Sequence, residues 1–288
     1  MPNLKRNLTN TKNTGAVKGK SISISQFNVL ANNLCESGGF NTNPEFLKWD
    51  YRRNLLGMIL LENTFDIMCF EEVDELPLNE IKSVLVPLGY DYAWKQKFYS
   101  KPNEPNDGTA VFWNKKLFKL GKEKILQYSY NSQPTTQFAM MLCLQSISTD
   151  SFSVCVVATH LKAKPGFEDI RKIQSEQLIS ELKNFNSNNY AEIICGDFND
   201  TPDSPACHIM KQNYKSAYDS ELVNPINDMW TTCKKRKELV KRTIDYIFYD
   251  NTKINCIKIL DIPQDPNIIL PNGDYPSDHL LIGAVFSI

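Results

Sequence analysis

The decapeptide Ala191-Glu192-Ile193-Ile194-Cys195-Gly196-Asp197-Phe198-Asn199-Asp200 is a short apolar run that stops at a glycine and delivers a carboxylate and a carboxamide. Asp197 can ligate a hard cation, while the Asn199 amide can donate to an anion without adding charge of its own. Similar polar positions end or interrupt other apolar runs: Asn28, Glu72, His160, Asp245, and Asp278 with His279. Taken singly, each is ordinary turn, cap or solvated-loop chemistry. Their recurrence at strand ends is what those readings leave unexplained. If the strand ends converge, Glu72, Asp197, Asp245 and Asp278 cannot all stay ionised without a counter-charge. A divalent cation supplies it, and oxygen-rich ligation without cysteine favours Mg²⁺ or Mn²⁺ over zinc. Such an ion polarises a phosphoryl oxygen and stabilises a leaving oxyanion. His279 beside Asp278 offers a base near neutral pH, and another carboxylate could fix its tautomer.

The elements that must hold these residues follow from periodicity. Ile22 and Ile24 alternate with serines in a strand running into Phe27-Asn28, and Phe65 to Phe70 is a second strand ending at Glu71-Glu72. Between them, Asn43-Pro44 reads as a helix cap, and Leu47, Tyr51, Leu55 and Ile59 recur every four residues. Helix-like residues 77 to 88 follow, then Asp107-Gly108 as a turn before Thr109 to Trp113. Stretches 136 to 148 and 152 to 159 read as neighbouring strands, the second leading to His160. After Pro165-Gly166, residues 168 to 185 form a helix with Ile170, Ile173, Leu178 and Leu182 inward, and a short helix lies near 204 to 212. Gly196 is expected to permit a turn after the strand at 193 to 195. Mixed strands and helices imply an α/β or α+β layered sandwich with mixed sheets.

The 288 residues show no linker or composition shift, so residues 21 to 288 are read as one large domain after a flexible basic tail over 1 to 20. That tail carries five Lys or Arg and no acids. A mitochondrial presequence shares this bias but is richer in Arg and amphipathic. There is no apolar stretch of 18 or more residues and no secretory signal pattern, so no membrane association is expected and a cytosolic, nuclear or organellar protein follows, with a cytoplasmic monomer as the first expectation and a mitochondrial location as the alternative. The eight cysteines include no C-x-x-C pair, and buried reduced thiols are expected. A net charge of −1 argues against a large basic footprint for long nucleic acid.

The ordered series Phe27-Asn28, Glu71-Glu72, Thr159-His160, Gly196-Asp197-Phe198-Asn199, Thr243-Ile244-Asp245-Tyr246 and Ser277-Asp278-His279 resembles the endonuclease/exonuclease/phosphatase superfamily across residues 22 to 288. Within it, His160 to Glu168 with Arg171 and Gln174, together with Glu45 to Trp49 and Tyr275 to Leu280, is similar to the nocturnin branch, relatives of the carbon catabolite repression deadenylases. The resemblance implies a four-layer sandwich, two face-to-face mixed sheets flanked by helices, with a Mg²⁺-dependent site at one sheet edge. It implies Glu72 as principal metal ligand, with Asn28, Asp197 and Asn199 holding phosphate, nucleophile or metal water. Asp245 would orient His279, and His279 would activate water or support the transition state. Asp278 would assist the metal site, and His160 would donate to the phosphoryl oxygen. Lys97, Lys162, Lys164 and Lys241 match substrate contacts. The implied substrate is an adenosine-containing phosphoester: the 2′-phosphate of NADP(H) first, the 3′ end of poly(A) as the alternative. A catalytically silent relative that binds RNA or protein is the third reading. Three departures stand out: Glu71 where the family usually has Gln, adding a charge or recruiting a second cation; Phe27 for Trp; and Lys164 and Lys241 where nocturnins have Arg, a point charge for a planar fork. Lys234-Lys235-Arg236-Lys237 reads as a solvated loop or an auxiliary phosphate contact.

Overall fold

The computed structural model describes residues 6–12, 20–99, 106–148, 152–219, 229–263, 265 and 267–288. Seven strands form one sheet in the order β1 (Leu8–Asn10), β14 (Asn255–Leu260), β15 (Ile282–Ser287), β2 (Ser21–Asn28), β3 (Ile67–Val73), β5 (Gly108–Asn114) and β4 (Tyr90–Gln96). Six form a second, in the order β10 (Lys215–Ser216), β13 (Asp245–Tyr249), β9 (Ala191–Asp197), β8 (Val154–His160), β7 (Gln133–Ser146) and β6 (Phe118–Tyr130). A separate hairpin joins β11 (Thr232–Lys235) to β12 (Leu239–Arg242). The helices are α1 (Asn32–Ser37), α2 (Trp49–Glu62), α3 (Glu75–Leu85), α4 (Glu168–Phe185) and α5 (Pro205–Lys211).

Period-two alternation splits β7 between two cores. Met140, Leu142 and Leu144 join the cluster between the sheets, while Ala139, Met141 and Cys143 join the one under α4 with Leu178 and Leu182. On the far side, Leu56, Ile59 and Leu60 of α2 and Ile81 and Leu85 of α3 cover the seven-stranded sheet. Four layers result, as expected. The helix over 168 to 185 matches its expected bounds. The Asn43 cap holds only a 3₁₀ turn at Pro44–Leu47, its side chain accepting from Glu45 N, and α2 starts after it. Asp74 starts α3 two residues ahead of expectation by accepting from Leu76 N.

Each sheet contains one parallel pair, β2 with β3 and β8 with β9. Parallel neighbours need a crossover, supplied by α2 in the first pair and α4 in the second. The C-terminal ends of such strands are where open α/β sheets leave a crevice. Here those ends carry Asn28, Glu71-Glu72, His160 and Asp197.

Two expectations fail. Leu8–Asn10 is not free tail but pairs with β14, whose outer edge otherwise presents unpaired backbone groups; residues 1–5 and 13–19 lie outside the described residues. Cys143 and Cys155 stand opposite each other in the β7–β8 register, with Cα atoms 4.2 Å apart, and are joined as a disulfide. Their separation by twelve positions hides a direct cross-strand pairing. The six other cysteines are free and buried.

Candidate active site

The register explains why the site is compact. Asp245, the first residue of β13, lies opposite Asp197, the last of β9, and His160 lies beside Asp197 across β8–β9. Asp245 therefore opens a strand, where an interrupted one was expected. Gly196 is required by close approach and not by a turn, because a Cβ there would lie 2.1 Å from Thr159 O. On the other sheet, β3 bulges between Glu71 and Val73, and Glu72 takes φ 55°. That left-handed backbone rotates Glu72 out of the ladder into the cleft, a conformation costly enough to mark a functional position.

Asn28 bridges the sheets, its Nδ2 donating to Glu72 Oε1 at 3.1 Å and Asp197 Oδ2 at 3.0 Å. Ala31 N donates to Glu72 Oε2. Burial raises both carboxylates above their usual range, with Asp107 adding to the effect on Glu72, and Asp245 helping to push Asp197 up to about 7. A half-buried and a buried carboxylate, both held above their usual range, fit a cation site, since a positive charge between them would restore ionisation. Oxygens of Glu72 and Asp197 and a nitrogen of His160 lie within 4.8 Å of one another.

Lys97 decides which of these can ligate. It is buried, not open to substrate: Nζ sits 2.6 Å from Asp107 Oδ2 and 3.2 Å from His160 Nδ1. An ammonium has no lone pair, so Nδ1 accepts and the His160 proton stands on Nε2, 3.6 Å from Asp197 Oδ2. Burial, with Lys97 and His279 nearby, holds His160 well below its usual value, so it is a neutral N–H donor. Of the three, Glu72 and Asp197 are then the pair that could hold a cation.

His279 Nδ1 lies 3.0 Å from Asp245 Oδ2, and its Nε2 faces Asp197 Oδ2 at 3.9 Å and Asp278 Oδ2 at 4.0 Å. Burial alone would lower its pKa, but Asp245, Asp278 and Asp197 outweigh it and hold the ring up to about 10. The neutral base expected near pH 7 is therefore an imidazolium, a charged donor suited to a developing oxyanion. Asp278, held below the usual carboxylate range by Lys234 and His279 despite burial, accepts from Lys234 Nζ at 3.0 Å and lies outside the cation cluster. Asn199, at φ 53°, donates its backbone N–H to Asp197 Oδ1 and its Nδ2 to Leu161 O, so it shapes the cleft floor.

Sequence reasoning missed the residues that hold these in place. Gln26, on the Asn28 face of β2, donates to Asp245 Oδ1 and Glu71 Oε2; Thr231 donates to Asp245 Oδ2; Ser277 donates to Asn28 O. Buried Arg52 of α2 donates to the carbonyls of Val29, Leu30 and Pro276, tying together the loops that follow Asn28 and precede Asp278.

Glu71 is fully buried with Oε1 unpartnered, and burial pushes it well above its usual value near 4.5, Cys69 and Asp245 adding to the shift. That shift favours the protonated, uncharged carboxyl, against the extra charge and the second cation site expected of it. The folded chain keeps this proton while the unfolded chain releases it above about 4.5. Its stabilisation is thus complete below that value and is lost as pH rises toward the folded value, at up to about 1.4 kcal/mol per unit. Glu71→Gln is expected to keep turnover within about threefold and to lose less stability as pH rises above about 4.5 in denaturant titrations. A parallel decline in both proteins would contradict a protonated Glu71.

A cleft of about 930 Å³ opens above Glu72, His160, Asp197, Asn199, Asp278 and His279. Lys164, at φ 82°, lies on one wall, with Arg171 beneath it paired to Asp200 at 2.9 Å. The β11–β12 hairpin supplies Lys234, Arg236 and Arg242 on another wall, so part of the basic run faces the cleft. Lys241 does not: alternation turns it away, over the Trp230 ring and onto Asp265 O, while its neighbour Arg242 faces inward. Lys162 lies over the Phe167 ring, outside the lining.

Residues 25–279 match the Endonuclease/Exonuclease/phosphatase family, and the chain belongs to it. Its relatives include Nocturnin of Mus musculus, 30% identical over 99% of this chain and 70% of that one. The CCR4-Not complex 3′-5′-exoribonuclease subunit Ccr4 of Kluyveromyces lactis is 24% identical over 97% of this chain and 42% of its own. Among solved structures, the human Nocturnin catalytic domain with bound sulfate anion covers 98% of this chain and 97% of that one, with a TM-score of 0.78 and 28% identity. With this family and this site, the chain is a phosphoester hydrolase, and enzymes of the family are generally dependent on divalent metal.

Proposed function

We propose that the enzyme is a Mg²⁺-dependent phosphomonoesterase that removes the 2′-phosphate of NADP(H). The observation that carries this reading is one cleft lined by Lys164 and Arg242, and by Lys234 on Asp278, together with the Glu72–Asp197 pair. That arrangement suits a small substrate bearing several phosphates better than a long polyanion, for which the net charge of −1 offers no extended basic track. Oxygen donors from Glu72 and Asp197, with His160 turned into a donor, favour a hard cation such as Mg²⁺. Glu72 and Asp197 would hold such a cation, which would supply charge neutralisation at the phosphoryl oxygens. His279 offers its Nε2–H to the phosphoryl oxygen on which charge grows, Asp245 keeps the ring aligned, and His160 offers a second, uncharged N–H. Lys164 and Arg242 meet the non-reacting phosphates as they enter.

The similarity to Ccr4 over most of the chain favours a second reading, 3′-5′ exoribonuclease action on poly(A) with the same chemistry. Phosphate release from NADPH with Mg²⁺, run beside degradation of a 3′-A-tailed RNA with Glu72→Ala as control, separates the two. Release that disappears in the variant supports the 2′-phosphatase. RNA shortening without release from NADPH reverses the ranking.

A further inference from the structure

The cleft extends beyond the reacting centre along the β11–β12 hairpin. Thr232 bridges to His279, Lys234 reaches Asp278, and Arg236 follows two positions later. β11 ends at Lys235, so Arg236 stands one residue past the strand, at the turn of the hairpin. There its guanidinium lies 5.6 Å from the centroid of the Phe40 ring, and both side chains line the cleft. Among the described residues no carboxylate pairs with Arg236, so its plane is not committed to an ion pair.

The platform is held in place. Phe40 is half-buried against Gly38, where a side chain would bring Cβ within 2.4 Å of Phe40 Cε2. The backbone beside the ring is tied to the hairpin by Asn41 N donating to Lys235 O at 2.7 Å. Leu34 and Val240 add apolar surface nearby. A ring and a guanidinium presented together form a surface on which flat heterocycles stack, with about 1–3 kcal/mol per base typical of such contacts. Set four hairpin positions from the Thr232 that bridges to His279, the pair is placed for a moiety away from the reacting phosphate.

We propose that Phe40 and Arg236 form an outer stacking subsite for the second, non-reacting heterocycle of a dinucleotide substrate, an inference that rests on the function proposed above. The subsite distinguishes NADP(H) from a mononucleotide with the same 2′-phosphate.

The test compares NADPH with 2′-AMP, using wild type, Phe40→Leu, Phe40→Trp and Arg236→Gln. Phe40→Leu and Arg236→Gln are each expected to raise KM for NADPH about tenfold at unchanged kcat, corresponding to about 1.4 kcal/mol. Values for 2′-AMP stay within about twofold, and Phe40→Trp keeps the NADPH KM. Equal losses on both substrates, or an unchanged KM for NADPH, overturn the proposal. A second measurement is independent of turnover: NADPH binding to Glu72→Ala, read by nicotinamide fluorescence, should weaken about tenfold when Phe40→Leu is added. No weakening overturns the subsite. Wild type that releases phosphate from neither substrate counts against the 2′-phosphatase reading instead, and the binding titration still decides the subsite.

Discussion

His279→Ala is expected to lower kcat by at least about a hundredfold, the usual scale for removing a positioned acid-base or oxyanion-stabilising group. The effect should appear in kcat more than in KM, because Nε2–H matters most when charge has moved onto the phosphoryl oxygen. Asp245→Asn should act in the same direction, since Asp245 both aligns the ring at 3.0 Å and helps keep it charged. The sign of the pH dependence follows from the held-up value. A protonated donor is lost as pH rises, so activity should persist through neutrality and decline on the approach to about 10. A bound divalent cation shifts that decline to lower pH by repelling the imidazolium. Activity that climbs through the usual histidine value and then stays level would instead make His279 a neutral base.

Glu72→Ala should cost at least about a hundredfold in kcat and, unlike His279→Ala, should also weaken the divalent cation itself. The separation is measurable without turnover. Saturating Mg²⁺ stabilises a protein that binds it only when folded, by about 2.7 kcal/mol at a hundred times Kd. Wild type should show such a gain in thermal or denaturant unfolding, and Glu72→Ala should lose most of it. Without metal the variant should stay close to wild type in stability, because it loses a carboxylate raised by burial and Asp107 together with the acceptor of Asn28 Nδ2 and Ala31 N. An equal Mg²⁺ gain in both proteins would remove Glu72 from the cation site.

Much of the site was legible because its polar residues break apolar runs at strand ends. Asn28, Glu72, His160, Asp197 and His279 come together as that pattern required. What it concealed was pairing. Gln26 and Thr231 lie next to strand positions where a polar residue reads as ordinary solvent-facing alternation, yet both are buried on Asp245. Lys241 and Arg242 differ by one position on a short hairpin, and only the register decides which faces the cleft. The protonated state of Glu71 and the charged state of His279 depend on neighbours from distant parts of the chain. β6 went unseen because its outer edge runs through Lys119, Lys122 and Lys124 with little hydrophobic alternation.

Arg52 joins the loop after Asn28 to the loop before Asp278, and Asn28 in turn spans Glu72 of one sheet and Asp197 of the other. Neither sheet owns a working centre. Catalysis therefore behaves as a coincidence detector for tertiary assembly: a partly folded chain, or one whose sheets have slipped apart by little more than a hydrogen-bond length, has no weakened version of the activity to fall back on. Heat, denaturant or a distant core substitution should silence the enzyme abruptly, and loss of turnover reports that the two halves have parted.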